Sequence, residues 1–222
     1  MTDIDPTPAL LARAAADIRT HISGFPVLEI ARAFVTLGQP TLAAQLALDA
    51  EHERHEKLAG DWFAELARVH GMAGRREDVE RLAAACDGVV GVDLGPCASV
   101  AEAFEWVGDS ARADAYLARV RPPERDTALE HIIEISAREG RLARAEALVE
   151  RPELRARWFR GRLAALRLVI AHAHARSGDH ATAMQWLSRA SELLAPPKEY
   201  EPNLAIAVAA ADLGDVARAL DL

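Results

Sequence analysis

The chain has 222 residues, half of them hydrophobic, which is enough to bury a sizeable core or to stack several small units. Its 26 lysines and arginines against 34 aspartates and glutamates give a formal net charge of −8, which argues against a general nucleic-acid binder. The two cysteines, Cys86 and Cys97, have neither the spacing of a metal site nor that of a disulfide framework, which favours a reducing compartment.

The N-terminal segment has no basic and apolar signal sequence, and no uncharged apolar run in the chain reaches membrane-spanning length. We therefore expect a soluble, cytoplasmic protein. Residues 8–22 are predicted to form a helix, with Thr7 as its N-cap and Pro8 at its first position. Residues 1–23 are accordingly assigned as a capping segment that covers the open end of the helices that follow.

From residue 24 onward, one pattern of glycines and small residues returns through the chain. Six glycines lie 32 to 38 residues apart, each between two stretches of helical periodicity: Gly38, Gly74, Gly108, Gly140, Gly178 and Gly214. Five positions after each glycine the residue is small or apolar: Ala43, Val79, Ala113, Ala145, Ala183 and Ala219. Each unit therefore predicts a helix A, a tight turn and a helix B, with glycine in the left-handed conformation that ends helix A.

Two further columns in helix A support this register. Eight positions before the glycines lie aliphatic residues, Ile30, Leu66, Val100, Ile132, Ile170 and Ile206, and seven before lie Ala31, Ala67, Ala101, Ile133, Ala171 and Ala207. Small residues allow the two helices to approach closely, and the aliphatic column fills the space between them. Directly after three of the glycines, Asp109, Asp179 and Asp215 are predicted to cap helix B.

The units resemble the tetratricopeptide repeat, a helix-turn-helix of about 34 residues. The fifth carries the resemblance best, with Gly178 and Asp179 at the turn, Ala183, Leu187 and Ala190 in helix B, and Pro196-Pro197 at the exit. The aromatic that the family has within helix A is Phe34 and Phe104 in two units but His70, Ser136, His174 and Ala210 in the others, which leaves related helical-hairpin repeats as an alternative. The resemblance implies an all-α fold, a right-handed α–α superhelix of about six hairpins over residues 24–222, the last incomplete.

Two segments interrupt the regular spacing. The β-prone stretch DGVVGVDLGP, residues 87–96, is predicted to be an extended linker between the second and third units. The stretch RPELRARWFRG, residues 151–161, is expected to add a helical turn or two between the fourth and fifth units.

In the family that these units resemble, the faces of helices A line a concave groove that holds extended peptides or partner helices. The phase of the glycine columns places on this face Arg32, Glu65, Arg68, Met72, Glu102, Trp106, Glu130, Glu134, Arg138, His172 and Arg176. Glutamates dominate the middle of this set, with Trp106 as a possible anchor for a partner. We expect a non-enzymatic protein-interaction scaffold or adaptor without a cofactor, whose partner is a cationic or amphipathic segment of another protein.

Two alternatives remain open. The basic segment 151–167 combines Arg151, Arg155, Arg157, Arg160, Arg162 and Arg167 with Trp158 and Phe159, which favours a regulatory or sensory domain that binds a ligand or nucleic acid. The stretch EHERHEK places His52, His55 and Glu56 within one helical turn and could hold a metal, although a solvated helix end fits it better. His172 and His174 face opposite sides of a helix, and His174 is expected to be a packing residue.

Overall fold

The computed structural model describes residues 13, 25–53, 60–87, 95–152, 154 and 160–194. In these ranges all regular secondary structure is helical, which confirms the predicted all-α class. The first helices are α1 (Phe25–Thr36), α2 (Pro40–Glu53), α3 (Gly60–Met72), α4 (Arg76–Asp87), α5 (Gly95–Trp106) and α6 (Ser110–Leu117). They are followed by α7 (Glu124–Arg138), α8 (Leu142–Val149), α9 (Arg160–Arg176) and α10 (His180–Leu194).

The turn within each described hairpin has the geometry that the glycine spacing predicts. Five turn glycines have positive φ, between 71° and 85°: Gly38, Gly74, Gly108, Gly140 and Gly178. At the first turn the Gly38 N–H donates to the Val35 carbonyl and the Gln39 N–H donates to the Phe34 carbonyl, and the other four turns repeat this pair of bonds. This is the Schellman motif, which satisfies carbonyls that the end of a helix would otherwise leave unpaired.

The packing columns are buried as the repeat predicts, except that Ile30 of the aliphatic column is only half-buried. All five described residues that follow the turns by five positions are completely buried, as are the five that precede them by seven. Asp109 accepts a hydrogen bond from the Arg112 N–H at 3.2 Å, and Asp179 accepts one from the Thr182 N–H at 3.1 Å. These two aspartates therefore cap α6 and α10, as expected for helices B.

The chain divides into two compact units, unit 1 (Met1–Ala128) and unit 2 (Leu129–Leu222), and the division lies within α7. In unit 1 the three helices A, α1, α3 and α5, pack in succession, and each contacts the helix B that follows it. The closest approach is at Gly71 of α3, where a Cβ atom would lie 2.8 Å from the Ala103 Cα of α5. A glycine is therefore required for these two helices to pack at this distance.

Unit 2 contains two described hairpins, in which α9 packs against both α10 and α8. Its core around α9 and α10 includes Ala164, Leu168, Leu187 and Ala190, with Met184 and Leu193 against it. None of the helices in the described ranges of either unit is both long enough and apolar enough to cross a lipid bilayer.

Several predictions fall wholly or partly outside the described residues. Of the capping segment only Arg13 is described, and it is helical; the sixth unit lies outside the described ranges altogether. The predicted linker is too long at both ends, because α4 includes Asp87 and α5 begins at Gly95. Glycine and proline are tolerated there because the first turn of a helix lacks internal N–H partners.

Candidate functional site

The predicted groove residues are divided between the two units. Unit 1 holds Glu65 and Arg68 on α3 together with Glu102 and Trp106 on α5. Unit 2 holds Glu130, Glu134 and Arg138 on α7 together with His172 and Arg176 on α9.

In unit 1 the helix A faces are joined by a chain of ion pairs, the arginine–glutamate ladder, which consists of Arg32, Glu65, Arg68 and Glu102. Arg32 Nη1 of α1 lies 3.1 Å from Glu65 Oε1 of α3. Arg68 Nη1 donates to Glu65 Oε2 at 2.7 Å, and its Nη2 lies 3.4 Å from Glu102 Oε2 of α5. The ladder therefore crosses three successive helices A.

The carboxylates of this ladder lie beneath its arginines. Glu65 and Glu102 are each only 4% exposed, whereas the side chains of Arg32 and Arg68 are 44% and 28% exposed. Burial alone would lower the pKa of Arg68, but the carboxylates of Glu102 and Glu65 outweigh it and raise that pKa. The predicted strip of open glutamates is thus replaced in unit 1 by buried, neutralised carboxylates with guanidinium groups at the surface.

Two predicted face residues of unit 1, Met72 and Trp106, are half-buried. Beside Trp106, Glu105 is completely buried, and its Oε1 accepts a hydrogen bond from the Ser110 hydroxyl at 3.1 Å. The glycine columns do not predict the burial of Glu105, since this residue is not a member of any of them. Its burial shows that a carboxylate on α5 also serves the turn into α6.

A second set of ion pairs, not predicted from the sequence, joins the helices B of unit 1. Three arginines pair with carboxylates on the preceding helix B: Arg81 with Glu51, Arg112 with Glu80, and Arg119 with Asp87. The partners lie 30 to 32 residues apart in the chain, close to the repeat length. A search of the sequence for opposite charges about one repeat length apart could therefore have predicted these ion pairs.

His70 occupies the packing column that holds Phe34 and Phe104 in the neighbouring hairpins. Its side chain is completely buried, neither ring nitrogen has a hydrogen-bond partner, and Nδ1 lies 3.7 Å from Asp78 Oδ2. Burial lowers the pKa of His70, and this effect exceeds the opposing influence of Asp78. The imidazole is therefore held neutral in the core of the second hairpin.

In unit 2 the predicted face is more open. Glu134, Arg138 and Arg176 are exposed and His172 is half-buried, while Glu130 forms an ion pair with Arg162 of α9. The helix face thus carries both signs of charge rather than a run of glutamates.

His174 is a packing residue of unit 2, as the sequence predicts. It is almost completely buried, and its Nε2 lies 2.7 Å from Glu146 Oε1, which also accepts a hydrogen bond from Trp186 Nε1 at 3.0 Å. One carboxylate of α8 therefore binds residues of both α9 and α10. The sequence columns do not indicate this three-residue cluster, because Glu146 lies outside them.

The basic segment uses two of its arginines for internal contacts. Arg162 pairs with Glu130, and the nearly buried Arg167 donates to Glu150 Oε1 at 3.1 Å and to the Arg189 carbonyl at 2.8 Å. Arg160 is exposed, and Arg151 is half-buried. Arg155, Arg157, Trp158 and Phe159 lie outside the described residues.

The metal site predicted as an alternative falls outside the described residues, because His55, Glu56 and the side chain of His52 are not described. Among the side chains that are described, no three histidines, cysteines or carboxylates form a group that could hold a metal ion.

No protein-family model matches the sequence, and no curated protein matches it significantly. Inference about function therefore starts from the helical hairpins and the side chains on their faces.

Proposed function

We propose that this protein is a non-enzymatic scaffold or adaptor that binds a segment of another protein along the faces of its helices A. The observation that supports this best is the repeated hairpin, with positive φ at all five described turn glycines and completely buried columns on both sides of them. Stacked hairpins of this kind create extended binding surfaces, because each unit contacts only its neighbours.

The proposal includes a finer architecture, a tetratricopeptide-like right-handed superhelix of about six hairpins in a cytoplasmic protein. Successive packing of α1, α3 and α5 in unit 1 supports it, since tetratricopeptide-like stacks place helices A side by side. Ion pairs between residues about one repeat apart, on both helix layers of unit 1, support it as well.

The partner that fits these faces best is an amphipathic segment. A purely cationic partner requires open carboxylates, whereas Glu65 and Glu102 are buried under arginines. Trp106 remains a half-buried aromatic on the same face, and Glu134, Arg138 and Arg176 offer charges of both signs in unit 2. Aromatic anchors contribute most of the binding energy at such surfaces, and the charges chiefly set partner choice and association rate.

Quantitative affinity capture tests the proposal. Partners bound by the wild-type chain are identified by mass spectrometry and compared with those bound by Trp106→Ala. A genuine groove ligand should bind this variant about 2 kcal/mol more weakly. Leu37→Ala is the matched control, because Leu37 is a large hydrophobic side chain that is 61% exposed at the first turn. It should bind the partner like the wild type.

Charge reversal distinguishes the groove from the basic segment. Replacing the exposed Glu134 by Lys should mainly slow association with the partner, whereas Arg160→Glu should leave binding unchanged; Glu130 is kept because it pairs with Arg162. If Trp106→Ala and Glu134→Lys bind normally while Arg160→Glu abolishes binding, the groove proposal is wrong. Steep loss of binding with salt would then favour a nucleic-acid ligand.

A further inference from the structure

The chain has two cysteines, and the fold brings them together inside unit 1. Cys86 lies in the last turn of α4 and Cys97 in the first turn of α5, and their Sγ atoms are 3.4 Å apart. Both are free thiols, and they are only 8% and 2% exposed. Sequence spacing had argued against a disulfide framework, so this contact is a result of the fold.

The surroundings of Cys86 keep its side chain in the thiol form. Burial, together with the hydrogen bond with Cys97, raises the pKa of Cys86 to about 12. Since a thiolate is the reactive species, attack on an external oxidant requires local opening of the junction between α4 and α5. Once one sulfur has reacted, the second is already within contact distance.

We propose that Cys86 and Cys97 form a reversible intrachain disulfide, by exchange with a small oxidised disulfide of the glutathione class. In the first step one thiol loses its proton, and its sulfur attacks the external disulfide to form a mixed disulfide while releasing one small thiol. The other cysteine then displaces the second small thiol, so two protein thiols are oxidised and one external disulfide is reduced to two thiols. Such exchange is the ordinary route of disulfide formation.

The disulfide would join helix B of the second hairpin to helix A of the third. At this same junction Tyr116 of α6 donates hydrogen bonds to Asp87 at 2.8 Å and to the Ala83 carbonyl of α4 at 3.3 Å. A covalent link there would restrict separation of the two hairpins in unit 1. The inference does not depend on the proposed scaffold function.

The test uses the full-length chain. It is fully reduced, freed of reductant and incubated with oxidised glutathione, and is then unfolded in denaturant and alkylated at once with N-ethylmaleimide before intact-mass and peptide analysis. We expect a monomer that carries no maleimide, is lighter than the reduced chain by two hydrogens, and yields one peptide pair linked through Cys86 and Cys97. The oxidised chain should melt about 5 °C or more above the reduced one, and dithiothreitol should reverse the gain.

Single variants provide the matched controls. Cys86→Ala and Cys97→Ala should each form no intrachain link and show no rise in Tm with the oxidant. The proposal is overturned if the oxidised wild type still takes up two maleimides, retains glutathione on either cysteine, or links only between chains. These outcomes are read on the wild type, so they decide the question even if a variant fails to fold.

Discussion

Units 1 and 2 share the same hairpin turns but connect their hairpins through different side chains. In unit 1, ion pairs that join successive hairpins link residues 30 to 34 positions apart, on both helix layers. Unit 2 has one ion pair of this spacing, between Arg162 and Glu130, and adds a polar cluster in which His174 and Trp186, 28 and 40 positions away, both bind Glu146. One turn motif therefore accepts either a repeated ladder of charges or a single charge pair together with a polar cluster between hairpins.

The difference teaches that the turn and its packing columns determine the hairpin, while the contacts between hairpins are free to vary. Among the described residues, the columns five positions after and seven positions before the turn glycines are completely buried in both units. Of the side-chain contacts that connect one hairpin to the next, an ion pair between residues about one repeat apart occurs in both units, and the others differ. Four sets of variants, ordered by expected effect, test this separation.

The largest effect is expected for Arg68→Met in unit 1. The substitution removes the Arg68 guanidinium from both Glu65 and Glu102, and both carboxylates are nearly buried. Removing one partner of a largely buried ion pair is costly, so the free energy of unfolding should fall by about 3 kcal/mol. Chemical denaturation at pH 7 measures the change.

Arg32→Met is the control for that variant. Arg32 is more exposed, and Glu65 keeps Arg68, so the loss should be no more than about 1 kcal/mol. Equal losses in the two variants would show that the buried carboxylates do not determine the stability of the ladder.

Overpacking should affect the shared columns equally in the two units. Ala171 in unit 2 and Ala67 in unit 1 are both completely buried seven positions before a turn glycine. Replacing either with Leu should lower the free energy of unfolding by about 2 kcal/mol, because a well-packed interior has no room for the added carbons. If one variant keeps the wild-type melting temperature, the two alanines occupy matching positions in the sequence but are not equally tightly packed.

Substitutions three positions before the turn glycine test whether the two units differ in how closely their helices A pack. Gly71→Ala should destabilise unit 1 by about 1 kcal/mol despite the higher helix propensity of alanine, because its Cβ would meet the backbone of Ala103. Ala175→Gly at the matching position of unit 2 should lose a similar amount through propensity alone. Thermal unfolding measures both, and a more stable Gly71→Ala would contradict the close approach of α3 and α5.

The smallest effect is a pH dependence from His70. The unfolded chain protonates this histidine near pH 6.5, whereas burial lowers its pKa in the folded protein. Its contribution to stability is therefore complete above about pH 6.5 and decreases as the pH falls below that value. His70→Phe, which copies Phe34 and Phe104, should flatten the stability profile between pH 7.5 and pH 5.

Denaturation of the wild type and of His70→Phe at several pH values measures that profile. Asp78 and Asp109 have lowered pKa values, because hydrogen bonds and nearby arginines outweigh the burial that would raise them. Loss of stability below about pH 4 should therefore persist in the variant. An unchanged slope between pH 7.5 and pH 5 would show that another group titrates there.

Much of the hairpin could be predicted from the sequence, because its determinants are local. Gly38 forms the turn and Ala43 lies near the start of the helix that follows it, so their relative positions are determined by the local backbone. The burial and ion pairing of the predicted groove residues were harder to predict from the sequence. Glu65 is identified as a face residue by its phase, yet its environment also depends on Arg32, which reaches it from another helix, in addition to Arg68 of its own helix.

The cysteine contact was beyond sequence reasoning for a similar reason. Cys86 and Cys97 are 11 positions apart, but their meeting requires α4 and α5 to pack at a particular register. Neither helix periodicity nor the glycine columns determines how a helix B lies against the next helix A. The position of α5 also depends on how it packs on the preceding helix A, where Gly71 of α3 lies against Ala103.

The turn glycines are required by the backbone conformation of the turn and not by a lack of space for a side chain. A Cβ added at Gly38, Gly74, Gly108, Gly140 or Gly178 would meet no atom within 4 Å, although the positive φ opposes any L-residue. A D-alanine introduced by chemical synthesis would favour the observed backbone conformation, because positive φ is the preferred region for a residue of mirror-image configuration. At these five positions the hand of the residue, rather than the size of its side chain, therefore decides whether the turn is strained.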